Sequence, residues 1–414
     1  MFVRFPRRDP MTDRLLVLGA GSYQMPVIRR ALDLGCHVVV ADYLPGNPGH
    51  RVASASEIVS TIDLDGILDV ARRHRVDGVL TYGSDVSAPT VAYVSERLGL
   101  PGNPYETAAL LQRKDRIREL QRRAGLPHPR FVHASGAEDL AAQARREALP
   151  LPALVKPADA SGSKGQTVVR HVDDLAAAFE TARPFSRCGV VVAEELLPDD
   201  AMELVFEAFV EQGRLAFGCY GHNWFCNETH PRVPVGEIFP GAYGPEIVAE
   251  IDRQIQALVT AAGVRAGCMN FDALLSRGQV VIVDIGLRSG GNFVSDLIAM
   301  STGVDLTAAA VHAALGRSVA VPGLHAADPA CIASYILHAH RAGRFVSMRV
   351  DPAIEPMVVE TRMFVEPGGE VQPYTRGDAA LGVTIFRSPS PRDVQALVAR
   401  APHLCEVTLD PSTT

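Results

Sequence analysis

Asn270–Asp284 reads NFDALLSRGQVVIVD. Two apolar runs flank Arg277–Gly278, the composition of a hairpin turn between two strands. Closing the hairpin symmetrically around residue 278 sets Asp272 and Asp284 directly opposite each other, with Cβ atoms about 5 Å apart on one face. Like charges so placed are destabilising unless something compensates. A divalent cation bridging both would do so, and oxygen-only ligands favour Mg2+ over zinc. The plainer alternative is two solvated acids at strand ends, since a bulge would break the register.

Upstream stretches carry charge where packing does not require it. Lys156 ends the apolar strand LPALVKP (Leu151–Pro157), and fully buried lysines are rare unless paired. The loop after it, Ser161-Gly162-Ser163-Lys164-Gly165, can present backbone N–H groups to an anion, with glycine permitting close approach. It is not a Walker A loop, because GxxxxGK[ST] does not occur and the loop joins two strands. Taken alone, an ordinary hairpin loop is the plainer reading, and Lys114 is by default a solvated helix charge. The strand Val190–Glu195 ends in Glu194 and Glu195, and Glu203 follows after Pro198-Asp199-Asp200. Such a strand exit offers backbone groups to a base and a carboxylate to a ribose; a surface loop rich in acids is the alternative. His222, Glu228, His230, Arg232 and Glu237 share the stretch YGHNWFCNETHPRVPVGEIFPG (Tyr220–Gly241). Their spacing matches no zinc site, and the stretch reads as a loop lining a substrate pocket.

The N-terminal part opens RLLVLGAGSYQMPVIRRALDLGCHVVVAD (Arg14–Asp42), a strand, a glycine turn, a helix and a second buried strand. Gly19-Ala20-Gly21 supplies G-x-G, but Gln24 stands where a dinucleotide fingerprint needs its third glycine. A tight βα turn is therefore the preferred reading over an NAD site. With the further strand at Val76–Thr81, this part is a small doubly wound α/β unit. Farther on, helices are expected over 105–126, 173–182, 245–262 and 297–315, a linker over 317–329 and a strand-rich end over 330–414.

Composition bounds the function. The 414 residues suggest two to three domains, and 47% apolar with 21% charged residues is ordinary for a globular chain. A net charge of −7 argues against a general nucleic-acid binder. The seven cysteines are scattered without a C-x-x-C pair, which fits a reducing cytosol, so a cytoplasmic protein is expected. No apolar run reaches the roughly 18 residues of a membrane span, and residues 1–10 read as a tail.

In order and spacing, these motifs resemble the ATP-grasp superfamily, specifically its carboxylate–amine (amino-acid) ligase branch, related to biotin carboxylase and phosphoribosylaminoimidazole carboxylase ATPase subunits. VDGVLTYGSD (Val76–Asp85) and GLPGNP (Gly99–Pro104) resemble the family's N-terminal domain, and Arg113–Phe131 its lysine helix and strand entry. The resemblance implies an α/β ATP-grasp fold in four parts: a tail over 1–10, a Rossmann-like pre-ATP-grasp domain over 11–104, the ATP-grasp domain over 105–316 and a small strand-rich extension over 317–414. It implies ATP and Mg2+ as cofactors. Lys114 would meet the α-phosphate, while Lys156 and the loop Ser161, Gly162, Ser163, Lys164 and Gly165 would close on the phosphates. Glu194, Glu195 and Leu197 would meet the adenine, Glu203 the ribose, and Asp272 and Asp284 the metal. Arg288, with Ser289 and Gly290, matches the arginine and glycine segment beside the acid substrate, and Glu237 and His230 would complete that pocket. One departure stands out: Gly286 occupies the place where the family carries a metal-binding Asn.

The activity so implied is amide formation from a small carboxylic acid, such as an amino acid, and an amine through an acyl phosphate, with Lys156 and Arg288 catalytic. Closure of the 161–166 loop and the 221–243 segment over the site is expected to exclude water. A carboxylase acting on bicarbonate is the alternative within the fold. A nicotinamide oxidoreductase and a catalytically silent ATP sensor are alternatives outside it. Partners are small molecules, with no nucleic acid or membrane, and a homodimer is the usual assembly.

Overall fold

The structure is a computed structural model and describes residues 12–160, 162, 164–198, 201–225, 233–326, 329–375, 379–388 and 390–410. The first strand shows how the N-terminal unit forms. In β1 (Arg14–Leu18), Leu15 and Val17 face one side and Leu16 and Leu18 the other, all buried. Each face needs a cover, because successive side chains alternate across a strand. α1 (Met25–Asp33) covers the first face, with Val27 and Ile28 in the same apolar cluster as Leu15. Beyond β2 (His37–Ala41), α2 (Gly49–Val52) and β3 (Ala55–Glu57), α3 (Leu64–His74) supplies Ile67 and Val70 to the second face. β4 (Gly78–Thr81) and α4 (Ala88–Leu98) finish the unit, whose parallel sheet runs β3-β2-β1-β4. Its glycine turn is closed by the protein itself. Asp42 accepts from the Ala20 and Leu44 N–H groups, and Gln24 fills the space over Gly19 and bonds to Gly21 N–H. The expected tight βα turn is what forms there.

The single helix expected over 105–126 is two: α5 (Tyr105–Leu111) and α6 (Lys114–Arg123). Arg113 between them is extended, its guanidinium pairs with Asp115, and Lys114 N–H donates to the Ala158 carbonyl. The break turns Lys114 inward.

A small antiparallel sheet follows, built from β5 (Phe131–Ala134), β6 (Ala153–Pro157), β7 (Thr167–Val169) and β8 (Val191–Glu195) in the order β5-β8-β6-β7. α7 (Ala137–Arg146) and α8 (Leu175–Ala182) cover one face, against Val155, Val191 and Ala193. Strand alternation leaves Lys156 and Glu194 on the other face. The helix foreseen from Asp173 begins instead with a 3-10 turn, and Asp174 makes no side-chain cap.

The main sheet begins with β9 (Met202–Glu211), β10 (Arg214–Phe225) and β11 (Pro234–Phe239), followed by α9 (Pro245–Ala262). The hairpin β12 (Gly267–Ser276) and β13 (Gln279–Gly286) comes next, then α10 (Val294–Thr302) and α11 (Leu306–Ala314). One helix was expected over 297–315; Gly303 at φ +78 ends the first, and Asp305 caps the second through Ala308 N–H. β14 (Cys331–Leu337), β15 (Gly343–Val350), β16 (Val358–Met363), β17 (Glu370–Val371), β18 (Gly382–Ser388), α12 (Pro391–Leu404) and β19 (Cys405–Asp410) complete the chain. Strand order in the eight-stranded sheet is β13-β12-β9-β10-β11-β14-β18-β16, so three strands after residue 330 extend the sheet that carries the acid hairpin. β17-β15-β19 form a separate three-stranded sheet. Phe206, Met269 and Phe271 pack towards α9. Their neighbours Val205, Glu207, Asn270 and Asp272 therefore face the opposite side, which is the side of the site.

Candidate active site

The acid hairpin closes differently from the symmetric scheme, and the acids still meet. Arg277 and Gly278 both have positive φ, 51 and 79, as a two-residue type I′ turn demands. Ser276 then pairs with Gln279, and continuing that register would set Asp272 against Val283. A bulge between Asp272 and Ala273 skips Val283 and restores the pair Asp272–Asp284. The bulge creates the facing acids that the symmetric reading obtained without one.

Lys114 joins this pair to the small sheet. Its Nζ lies 3.0 Å from the Ala160 carbonyl and 3.0 Å from Asp284 Oδ2. Burial works against its charge, but Asp284 holds its pKa above the usual lysine value. Asp284 in turn is held below the usual range, because Lys114 and Lys156 outweigh its burial. For Asp272 the pull of the Arg288 cation is the weaker effect. Burial and then the charge of Asp284 push its pKa up to about 7. One acid keeps its charge while the other resists it, which is the imbalance a bridging cation removes. Two half-buried carboxylates suit Mg2+, which takes one or two protein ligands and fills its octahedron with phosphate and water oxygens. Among the described residues no group of three or more His, Cys, Asp or Glu side chains is placed to hold a metal, so a zinc cage has no ligands.

Glu194 was expected to touch the adenine. Its carboxylate is instead committed within the protein, forming buried ion pairs with Lys156 and with Arg118, whose Nε is 3.1 Å away. Burial opposes the Glu194 charge, but Arg118 and Lys156 prevail and lower its pKa. Burial and the neighbouring cations Arg118 and Lys114 lower that of Lys156, although Glu194 opposes them. Glu195 and Leu197 lie at the open end of β8, and Glu203 at the start of β9 is within electrostatic reach of Asp272. Gly162 and Gly165 adopt positive φ of 70 and 67, Lys164 is exposed, and a side chain at Gly165 would collide with Phe185. Ser161, Ser163 and His230 lie outside the described residues, as do residues 226–232 of the 221–243 segment; the rest of that segment lies largely in β10 and β11 and not in the expected loop.

Arg288 is held by Asp85, 2.7 Å from its Nη2, and by Asn270 Oδ1, 3.0 Å from its Nη1, while its Nε has no partner. Asp85 comes from the N-terminal unit, which thus reaches the site. Ser289 is buried, and its carbonyl accepts from Gly83 N–H, so it joins the two units instead of lining the pocket openly. Gly290 N–H donates to Glu207. The space at Gly286 is filled: a Cβ there would stand 2.7 Å from Asp85 Oδ1 and 2.9 Å from Arg288 Cζ.

Arg118, Asp85, Asn270 and Glu207 were not singled out from the sequence. Arg118 reads as one charge among many in a basic helix. The G-S-D after a buried strand was the signal available for Asp85.

No family model matches the chain. It is similar to the formate-dependent phosphoribosylglycinamide formyltransferase of Synechococcus sp. (strain CC9605), at 28% identity over 395 residues, 94% of this chain and 95% of that protein. The crystal structure of phosphoribosylglycinamide synthetase from Anaerococcus prevotii superposes with a TM-score of 0.78 at 18% identity, covering 96% of this chain and all of that one, 100%. That of L-amino acid ligase from Bacillus licheniformis gives 0.78 at 21% identity, covering 97% and 100%. The fold is that of the ATP-grasp proteins, and the chain's relatives are ATP-grasp enzymes of the carboxylate–amine ligase kind. Among the described residues no single helix is long and apolar enough to cross a membrane.

Proposed function

We propose that this chain, ATP-grasp in fold and in its relatives, uses ATP to join a carboxylic acid to an amine, with an acyl phosphate between them and ADP and phosphate as products. The observation that carries the reading is Lys114, which bonds at once to Ala160, at the mouth of the glycine loop, and to Asp284 of the acid pair. A cation so held lies between the backbone that suits phosphates and the carboxylates that suit Mg2+.

A carboxylate and an amine do not condense at neutral pH, because oxide is a poor leaving group. In the proposed first step a carboxylate oxygen bonds to the γ-phosphorus, and the bond from that phosphorus to the β-bridging oxygen breaks. In the second the amine nitrogen bonds to the acyl carbon, phosphate departs with the C–O electron pair, and the nitrogen gives up a proton to solvent. Little covalent work falls to the protein; it aligns two anions and offsets their repulsion. Lys114 and Lys156 donate to phosphate oxygens in this reading, with Glu194 fixing Lys156. Asp272 and Asp284 would hold Mg2+, which supplies Lewis-acid stabilisation of the phosphates when bound. Arg288, locked by Asp85 and Asn270, keeps Nε free to donate to the acid or its oxyanion.

The Synechococcus relative's name pairs formate with phosphoribosylglycinamide, and a formylated glycinamide is also an amide of a carboxylic acid. That pair is therefore the first specific substrate set to try. The test is product analysis with ATP, Mg2+, hydroxylamine and pools of small acids that include formate and amino acids. Acid-dependent ADP, phosphate and hydroxamate support the reading, whereas AMP and pyrophosphate overturn it. A bicarbonate requirement would mark a carboxylase.

A further inference from the structure

The site face of the main sheet, with its buried Glu207 and Glu237, is not the only recess in the chain. A groove of about 360 Å3 lies where α6, β5 and α7 meet. Small-molecule sites occupy roughly 300–1,000 Å3, so the groove is large enough for one. None of the residues expected to hold ATP, Mg2+ or the acid lines it.

One wall of the groove is the edge of a sheet. β5 pairs with β8 alone, and Glu195 N–H donates to the carbonyl of Arg130, the residue before β5, at 2.8 Å. Backbone groups alternate along an antiparallel pair, so Val132 and Ala134 bond towards β8, while Phe131 and His133 turn theirs outward. The same two residues carry rings that line the groove. Their planes lie within 13° of parallel with centroids 6.3 Å apart, and His128 meets Phe131 edge-on at 6.0 Å. Parallel rings beside a cavity offer a stacking surface to a further planar ring.

The charges at the rim do not cancel. Arg122 is paired with Glu119 at 2.7 Å, and Glu147 with Arg146 at 3.2 Å. Arg130 is exposed, and its side chain donates only to a neutral group, the Glu147 carbonyl, from Nη2. Its Nε and Nη1 are left unbonded among the described residues. A guanidinium so placed suits an anion.

We propose that this groove is a regulatory site for a planar aromatic anion of the nucleoside monophosphate class. The ring stacks on Phe131 and His133, and the phosphate meets Arg130. Occupancy is coupled to ATP through the bonded pair Arg130–Glu195, since Glu195 lies at the open end of β8 where the adenine is expected. A ligand that holds Arg130 orders the strand end that the nucleotide must otherwise order, so each should tighten the other. The site stands apart from the ligase reading; only its coupling to ATP rests on the nucleotide side of that reading.

The experiment is calorimetric titration of the parent chain with nucleoside monophosphates, in Mg2+ and a saturating non-hydrolysable ATP analogue. Nucleosides and ribose 5-phosphate serve as probes of the ring and the anion alone. At least one monophosphate should bind once per chain. Its Kd should rise about tenfold or more when ring or phosphate is absent, and in Arg130→Ala and in His133→Ala. Leaving out the analogue should weaken the monophosphate about fivefold or more, and the monophosphate should tighten the analogue by the same factor. The proposal is overturned if no monophosphate binds, if the analogue displaces it, if ribose 5-phosphate binds equally well, or if both variants bind like the parent chain. An analogue affinity that stays constant or weakens removes the regulatory role. If the analogue itself does not bind, the nucleotide reading fails and takes the coupling with it, while the groove stands or falls on the same titrations of the parent chain and the two variants.

Discussion

The guanidinium of Arg118 donates through Nη2 to the carbonyl of Val283 at 2.6 Å, and Val283 is the residue of β13 that the hairpin register skips. The contact ties α6 to the bulge that turns Asp284 towards Asp272. Nε of the same guanidinium holds Glu194, the partner of Lys156. One fully buried side chain therefore fixes both the acid pair and the second lysine, without facing a substrate itself.

Replacing Arg118 by Leu should accordingly damage stability and nucleotide binding together. Removing one member of a buried charge network leaves its partner uncompensated, at a cost of about 3–5 kcal/mol. Urea unfolding should show that loss, and the KM for ATP should rise about tenfold or more. Loss of less than about 1 kcal/mol with an unaltered KM for ATP would mean that the bulge holds its register unaided.

Asp272 and Asp284 should separate in their effects on stability. Asp272 is disfavoured as an anion and Asp284 is favoured as one. Asp272→Asn therefore removes a repulsion and should raise the melting temperature in the absence of Mg2+. Asp284→Asn unpairs Lys114 and should lower it. Both should reduce acid-dependent ADP release on the order of 100-fold, as loss of a charge-stabilising group does. An active Asp284→Asn enzyme would remove the metal assignment.

Gly286 looks, from sequence, like a lost metal ligand to be restored. The structure predicts the reverse outcome for Gly286→Asn. A side chain there must push aside Asp85 and Arg288, which already occupy the space. Turnover should fall, with the KM for the acid rising more than that for ATP. A gain in activity or in Mg2+ affinity would show that the ion pair yields and that the family's Asn site is recoverable.

Much of this site was legible because local rules carry it. The apolar runs around Arg277–Gly278 fix a hairpin whatever surrounds it, and a lysine or acid at the end of a buried strand exits towards solvent or a cleft. Gln24 at the third glycine position announced a closed turn, and the structure fills that turn with its side chain. What escaped was the work done between elements. The break at Gln112–Arg113 depends on Lys114 docking against Ala158, 44 residues later by numbering. The commitment of Glu194 to Arg118 depends on a helix packing over a sheet, and nothing in either segment announces it. α12 was missed because residues 330–414 were read through their Pro and Gly turns, although Ser390 caps that helix through Asp393 N–H.

The acids on the site face also set a pH dependence whose sign can be worked out. Glu207 and Glu237 are pushed up to about 8 and Asp272 to about 7, in each case by burial first. Unfolded, such groups titrate near pH 4. Between those limits the folded chain binds more protons than the unfolded chain, so stability falls as pH rises. Below about pH 6.5 this trend is opposed by His222 and His338, whose burial lowers their pKa values, so that they are destabilising when protonated. Above that, the acids dominate. The melting temperature without ligands should therefore drop from pH 6.5 to 8.5, with each released proton contributing up to about 1.4 kcal/mol per pH unit. Glu237→Gln should flatten the slope, and Mg2+ should relieve only the part due to Asp272. Melting curves at pH 6.5, 7.5 and 8.5 for the parent chain and Glu237→Gln measure this directly. A parent chain that gains stability over that range would mean that Glu207 and Glu237 are already compensated in the free protein.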